Sequence, residues 1–185
     1  MPEPSSSPAD ETRLYLLVLR CQSGDESAFG RLFQWFGART LAHLQRLVGD
    51  DSEDVQQEVW LTVYRNLRTL HNPRAFRTWL FQTTRRRAID FLRARKREQE
   101  LRDDALREMA TSAWPDSHLS SVDDSSMASA VRDLSPIHRE VLLLRFQEDM
   151  SYGEIAVIAG CSIGTVRSRL HHAKRRMLES IEHLK

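Results

Sequence analysis

Apolar side chains recur at helical spacing through nearly the whole chain of 185 residues. Val55, Val59, Val63 and Leu67, for example, are spaced four residues apart and form a stripe along one face of a helix. No convincing run of alternating apolar and polar residues, as in a half-buried strand, is present. The sequence therefore predicts an all-α fold.

The helical pattern weakens in one stretch rich in Ser and Asp, TSAWPDSHLSSVDDSS, at residues 111–126. A proline among clustered small polar residues is typical of a linker. We therefore expect two small helical domains, at residues 11–97 and 127–185, joined by an acidic flexible linker at residues 98–126. Residues 1–10 are expected to form a disordered leader.

Features that the sequence lacks exclude several kinds of protein. No run of about 18 apolar residues is present, so no membrane-spanning helix is predicted. The N-terminus also lacks the basic and apolar regions of a signal peptide. Cys21 and Cys161 lie far apart and match no metal-ligand spacing. We expect a reduced cytoplasmic protein without disulfide bonds, a metal site or a cofactor.

Charge is distributed unevenly, although the whole chain carries only +1. Residues 65–97 hold 11 basic and 1 acidic side chain, whereas residues 98–133 hold 3 basic and 9 acidic ones. Residues 162–185 are basic again, with 6 basic and 2 acidic side chains. Two basic blocks separated by acidic stretches favour two polyanion-binding surfaces, although each block could also be an ordinary solvated helix face.

The C-terminal segment carries the start and stop signals of successive short helices. Ser135, followed by a proline, predicts one helix start. Ser151, with Glu154 three residues later, predicts a capping box at the next helix. Gly160 is expected to end that helix and Ser162 to cap the last one. Short helices joined by a glycine-containing turn are typical of a DNA-binding helix-turn-helix, and an ordinary α-hairpin with a basic face is the alternative.

The second helix of a helix-turn-helix enters the major groove and contacts base edges with its N-terminal residues. Arg167 can donate two hydrogen bonds to guanine. The neighbouring histidines, His171 and His172, point about 100° apart on a helix, so they are not expected to share a metal ion. The residues that we expect to contact DNA are Thr165, Arg167, Ser168, His171, His172 and Arg175.

Two stretches of the sequence resemble one known family. The run LSPIHREVLLLRFQEDMSYGEIAVIAGCSIGTVRSRLHHAKRRM resembles the C-terminal domain of bacterial RNA polymerase sigma factors of the sigma-70 family, extracytoplasmic-function group. Upstream, SEDVQQEVWLTVYRNL and FRTWLFQTTRRRAIDFLRARKR resemble the N-terminal promoter-opening domain of that group. The resemblance implies a promoter-specificity subunit that recognises the −35 and −10 promoter elements, helps to open DNA and has no catalysis of its own. It assigns the −35 element to the helix-turn-helix.

The resemblance also implies a surface that binds core RNA polymerase. In the family, the helix that corresponds to residues 54–67 docks on the polymerase, and Gln57 and Glu58 match its polar pair. Without the neighbouring motif, a plain amphipathic helix would be an equal alternative. The residues implied to contact core polymerase are Asp54, Gln57, Glu58, Trp60 and Leu61.

The following helix carries a basic block interleaved with aromatic residues, a composition that suits single-stranded DNA. In the family this region binds the −10 element and captures an extruded base. Phe76 and Trp79 match the family's aromatic pair, but they lie on the apolar face, and we expect them to be core residues. Arg86 stands where the family usually has Asn, so a donor-only cation replaces an amide that also accepts. The candidates for −10 contact are Arg74, Arg77, Arg85, Arg86, Arg87 and Arg93.

The partners that the resemblance implies are core polymerase, promoter DNA and an anti-sigma protein, which commonly holds members of this group inactive. No small-molecule substrate is implied. A free-standing helix-turn-helix regulator is the alternative function, but it leaves the first basic block unexplained. An enzyme would need clustered carboxylates for a metal, or a nucleophile with its base. The acidic cluster at residues 50–54 lies at a predicted helix start, where capping and the helix dipole explain it.

Overall fold

The computed structural model describes residues 8–107, 130–131 and 134–182. Every regular element within these ranges is a helix, which confirms the predicted all-α fold. The first helix begins at Pro8, so residues 8–10 of the predicted leader are helical. Residues 1–7 of the leader and residues 108–126 of the predicted linker lie outside the described ranges. The α-helices of the described ranges are α1 (Pro8–Gln22), α2 (Glu26–Val48), α3 (Ser52–Asn66), α4 (Phe76–Arg107), α5 (Pro136–Phe146), α6 (Tyr152–Ala159) and α7 (Ile163–Glu182).

The turn between α1 and α2 follows the local sequence. Gly24 has a φ of 91°, a backbone conformation that glycine adopts without strain. Asp25 then caps α2, because its carboxylate accepts a hydrogen bond from the backbone N–H of Ala28 at 3.0 Å. Hydrogen bonds from Ser27, Ala28 and Arg20 hold the pKa of the Asp25 carboxyl well below its usual range. A glycine followed by an aspartate is a sequence signal for a helix break and a cap, and both are present here.

The caps of the helix-turn-helix are also confirmed. The Ser151 hydroxyl accepts from the Glu154 backbone N–H, and the Glu154 carboxylate accepts from the Ser151 backbone N–H at 2.9 Å. This reciprocal pair is the capping box at the start of α6. Gly160 ends α6 in the left-handed conformation, with a φ of 62°. The Ser162 hydroxyl then accepts from the Thr165 backbone N–H at 3.1 Å and begins α7.

Two expected caps do not form as predicted. Ser135 precedes α5, but its hydroxyl lies 2.9 Å from Nδ1 of His138 and makes no capping bond to the backbone. Asp51 precedes α3 without a side-chain cap, because residues 49–51 form a 3-10 turn that leads directly into the helix. Its carboxylate instead forms an ion pair with Arg95 of α4 at 2.7 Å.

Helix α4 is longer than the sequence pattern suggested. The sequence assigns residues 98–126 to a flexible linker, which predicts that this helix ends near residue 97. Instead, α4 runs without interruption from Phe76 to Arg107. No glycine or proline occurs within it to break the backbone hydrogen bonds, which explains its continuity.

Helices α1 to α4 pack around a core in which the predicted stripe of α3 and its following turn is buried. Four polar side chains of these helices are buried: Thr40, His43, Ser52 and Thr84. The Thr40 hydroxyl donates within α2, to the backbone oxygen of Phe36 at 3.0 Å. His43 is only 1% exposed, its Nε2 has no hydrogen-bond partner, and its ring meets Phe81 edge-on. Burial therefore lowers the pKa of His43 to about 4.

The helix-turn-helix packs directly on the N-terminal helices. Ile155 and Ile158 of α6 belong to the same apolar cluster as Leu80 and Phe81 of α4. Helix α4 therefore contacts α3 on one side and α6 on another. Within the described part of the chain, no helix has the length and apolar composition needed to cross a membrane.

Candidate nucleic-acid interface

The N-terminal half of α7 presents a polar and basic face to solvent. Arg167, Ser168, His171 and His172 are all exposed, while the preceding Val166 and the intervening Leu170 are buried in the helix-turn-helix core. At 100° per residue, the four exposed side chains span about 140° of the helix circumference. They therefore form one surface narrow enough to enter a groove.

The other two predicted DNA contacts on α7 have partners within the protein. Thr165 is half-buried, and its hydroxyl lies 2.8 Å from that of Ser162. Arg175 forms an ion pair with Glu179 one turn later at 3.6 Å, and both side chains are largely exposed. Exposed pairs of this kind are weak, so Arg175 can exchange its partner for a phosphate. Thr165 instead helps to begin the helix.

The two histidines of this face lie close to a third histidine, His138 of α5. The His172 ring lies 5.9 Å from that of His171 and 6.0 Å from that of His138, measured between centroids. Burial, and then the charge of His172, lowers the pKa of His138. Among the described residues, no set of three His, Cys, Asp or Glu side chains is arranged to hold a metal ion.

Helix α3 exposes a second polar surface. Asp54, Gln57, Glu58 and Leu61 are all exposed, and Leu61 is 53% accessible. Their spacing of three or four residues places them along one side of the helix. Four of the five residues implied to contact the polymerase therefore share one face.

Trp60, the fifth, is only 6% exposed and lies in the core. Its indole N–H donates to the Thr40 hydroxyl at 3.3 Å. Its ring meets those of Phe29 and Phe33 edge-on, with centroids 5.9 Å and 5.1 Å away. Trp60 therefore fixes α3 against α2. Trp60 lies three residues before Val63 and seven before Leu67, spacings that place it on the buried side of α3. This sequence signal could have separated it from the exposed residues.

Of the six predicted −10 arginines, three are exposed: Arg74, Arg86 and Arg93. Arg74 lies over the Tyr15 ring, with 5.4 Å between its guanidinium carbon and the ring centroid. The neighbouring aromatic residues, Phe76 and Trp79, were expected to be core residues. Phe76 is fully buried, and Trp79 is half-buried and packs against the core.

The remaining three arginines are engaged by other parts of the protein. Arg87 donates to the Thr62 hydroxyl of α3 at 2.9 Å. Arg85 pairs with Glu140 of α5 at 2.7 Å. Arg77 donates to the backbone oxygen of Glu148, and its burial lowers its pKa.

A cleft of about 910 Å³ opens beside Arg74 and Arg77. Its walls include the aromatic side chains of Tyr15, Trp35 and Phe36, and also the acidic residues Asp10, Glu11 and Glu154. Sequence reasoning missed these residues because they lie on α1 and α2, far along the chain from the basic block. Trp35 is 40% exposed whereas Phe36 is only 3% exposed, so Trp35 is the wall residue with an exposed face on which a base can stack beside the cations.

Two family descriptions match this chain: Sigma-70 region 2 over residues 32–98, and Sigma-70 region 4 over residues 125–177. The ECF RNA polymerase sigma-E factor of Haemophilus influenzae is 33% identical over 176 residues, which cover 89% of this chain and 92% of that protein. The chain belongs to the extracytoplasmic-function group of sigma factors. As a sigma factor it is a promoter-specificity subunit, which binds core RNA polymerase and promoter DNA.

Further relatives of this sigma factor agree. The ECF RNA polymerase sigma-E factor of Escherichia coli strain K12 is 30% identical over 180 residues, covering 91% of this chain and 94% of that protein. Among solved structures, the sigma factor RpoE of Bartonella quintana, in complex with the anti-sigma factor NepR, matches with a TM-score of 0.64 and 25% identity. That match covers 83% of this chain and 96% of the other.

Proposed function

We propose that this sigma factor divides promoter recognition between two surfaces, with α7 reading the −35 element as duplex DNA. The observation that carries this assignment is the exposed face of Arg167, Ser168, His171 and His172, presented directly after a capped turn. The major groove admits an α-helix, and arginine recognises guanine there through two hydrogen bonds. Arg175, further along α7, contacts phosphate, and Thr165 positions the helix start.

The second surface is the basic face of α4 and the turn before it, which binds the −10 element as a single strand. The exposed cations Arg74, Arg86 and Arg93 track the phosphates, while the aromatic cleft beside Arg74 accommodates bases. Arg77, Arg85 and Arg87 join this surface when their present partners release them. The domain that carries it corresponds to residues 11–97, and the −35 domain to residues 127–185.

The face of α3 formed by Asp54, Gln57, Glu58 and Leu61 binds core polymerase. Carboxylates and an amide around an exposed leucine favour a partner surface that is basic and partly apolar. Trp60 contributes by holding α3 in place.

This sigma factor works in the cytoplasm, as a binding protein without catalysis of its own. An anti-sigma protein is a further partner, supported by the solved complex of the Bartonella quintana relative with NepR.

The experiment that tests the proposal is reconstitution with bacterial core polymerase, comparing the wild type with Glu58→Arg. The wild type should bind core and direct initiation, and the charge reversal should weaken core binding by at least about tenfold, a loss of about 1.4 kcal/mol. Glu26→Arg, an equal charge change at an exposed position of α2, is the matched control. If the wild type binds duplex DNA but neither binds core nor initiates, the chain is a free-standing regulator instead.

A further inference from the structure

Helix α5 places a histidine beside the exposed face of α7 that was not among the residues predicted to contact DNA. The rings of His138 and His172 have their centroids 6.0 Å apart. Two imidazoles that share a hydrogen bond of about 3 Å have centroids about 5 Å apart, so a small rotation of the exposed His172 ring brings the two rings into contact. His171 lies about 100° further round α7.

A hydrogen bond orients the His138 ring. Its Nδ1 lies 2.9 Å from the Ser135 hydroxyl, at the start of α5. A neutral imidazole that donates from Nδ1 keeps an acceptor lone pair on Nε2. Burial, and then the charges of His172, Arg169 and Arg176, lower the pKa of His138, so this ring is neutral at pH 7. With its Nδ1 proton on Ser135, the ring offers an acceptor to a charged neighbour.

The acidic side chains packed against α7 are occupied by other partners. Glu140 of α5 pairs with Arg85 of α4 at 2.7 Å, and Glu154, the acidic residue of α6, is held in the capping box. Glu179, on α7 itself, pairs with Arg175. On α5 and α6, both described in full, no carboxylate is therefore free to pair with a charged His172. The other charged side chains of α5, and those within one turn of His172 on α7, are the cations Arg139, Arg145, Arg169, Lys174, Arg175 and Arg176.

Duplex DNA would supply the missing negative charge. The exposed face of α7 runs from Arg167 at one edge to His172 at the other. Side chains at the edges of a helix in the major groove meet the phosphates that line the groove. An opposite charge within about 4–6 Å favours the charged form of a histidine. The phosphates therefore favour proton uptake by His172.

We propose that this sigma factor takes up a proton when α7 binds duplex DNA, that His172 carries the proton, and that His138 holds the charged ring by accepting a hydrogen bond from it. His138 is thus a positioning residue of the −35 surface. The proposal rests on the assigned role of α7 at the −35 element. It makes promoter binding tighter as the pH falls toward 6.

The test uses the full chain without polymerase and a fluorescein-labelled 20-base-pair duplex, selected from a random pool for binding to the wild type at pH 7. Fluorescence anisotropy measures the affinity at pH 7.5 and pH 6.0, at constant ionic strength. The two test variants are His138→Asn and His172→Asn. His171→Asn, on the same face, and His71→Asn, at an exposed position outside α7, are the matched controls. Circular dichroism at both pH values establishes that each variant retains its helices.

The wild type should bind the duplex at least about threefold more tightly at pH 6.0 than at pH 7.5, as expected when one histidine holds its proton about tenfold more tightly in the complex. Both test variants should reduce this gain to less than about 1.5-fold. His171→Asn weakens binding at both pH values and keeps the gain, and His71→Asn keeps both affinity and gain. Burial raises the pKa of Glu140 and Glu148, but both carboxyls are present in every variant and so cancel in the comparison.

Calorimetric titration of the same duplex at pH 7, in phosphate and in Tris buffer, counts the protons directly. The wild type should take up about half a proton per complex, and His172→Asn almost none. A role of His138 or His172 in packing alone would change the affinity without changing this count.

A wild-type affinity that is equal at the two pH values would overturn the proposal, and so would a gain that survives His172→Asn. A gain that survives His138→Asn would overturn the role of His138. If the wild type binds the duplex at neither pH, the proposed role of α7 fails as well, whereas binding without pH dependence contradicts only the present proposal.

Discussion

Arg167 is the exposed cation nearest the N-terminal end of α7, where a major-groove helix meets base edges. We predict that Arg167→Ala loses discrimination at particular −35 positions, at a cost of about 1–3 kcal/mol per lost base contact. Competition binding on duplexes substituted one base pair at a time measures this loss.

Arg175→Ala is the comparison for that series. A phosphate contact should weaken binding to all duplexes alike and reduce its dependence on salt. If Arg167→Ala behaves in this uniform way too, Arg167 does not read bases.

His43 gives a prediction about pH, because it is buried as a neutral ring. Its pKa is about 4 in the folded protein, below the ordinary value of 6.5. The unfolded chain therefore takes up the proton first, and folding stability falls as the pH drops from about 6.5 toward 4. Between pH 7 and pH 5 the wild type should lose about 2 kcal/mol relative to His43→Leu.

Urea unfolding at the two pH values measures this difference. Burial raises the pKa of Glu140 and Glu148, which opposes the His43 effect, but both carboxyls are present in wild type and variant and so cancel in the comparison. Equal pH dependence of the two proteins would mean that His43 is not buried in its neutral form.

At the scale of the helices, the capping box of α6 is the feature most open to test. Ser151→Ala removes the acceptor for the Glu154 backbone N–H and should cost about 1 kcal/mol of unfolding free energy. Ser135→Ala is the matched control, because Ser135 precedes α5 without a capping bond and should change stability by less than about 0.5 kcal/mol. If urea unfolding shows the same loss of unfolding free energy in both variants, the capping bond of Ser151 does not stabilise α6.

Helix ends were predictable from sequence where a single residue decides them. Asp25, Ser151 and Gly160 act within three or four residues of their own positions, and all three behave as expected. Asp51 and Ser135 have the same chemistry, but their side chains find other partners, Arg95 across the fold and His138 along the helix. Local propensity cannot rank such competing partners, because one of them depends on tertiary contacts.

At the scale of the whole molecule, the family and the two basic blocks were evident from sequence, but the contact between the halves was not. The Arg39–Glu148 pair joins residues 109 positions apart, and no spacing in the sequence links the two. Trp60 illustrates the same limit, because its burial against Phe29 and Phe33 depends on how α2 and α3 pack. The residues predicted on α3 came from the family resemblance and those on α7 from the helix-turn-helix pattern, and helical spacing places most of each set on one face.

The central claim is that one chain reads two separated promoter elements through α4 and α7. The most direct measurement is transcription from a randomised promoter library by core polymerase carrying this sigma factor, with sequencing of the templates that initiate. We expect two motifs at fixed spacing, with Arg167→Ala blurring only the upstream one and Arg86→Asn altering only the downstream one. A single motif, or variants that change both motifs together, would contradict the claim.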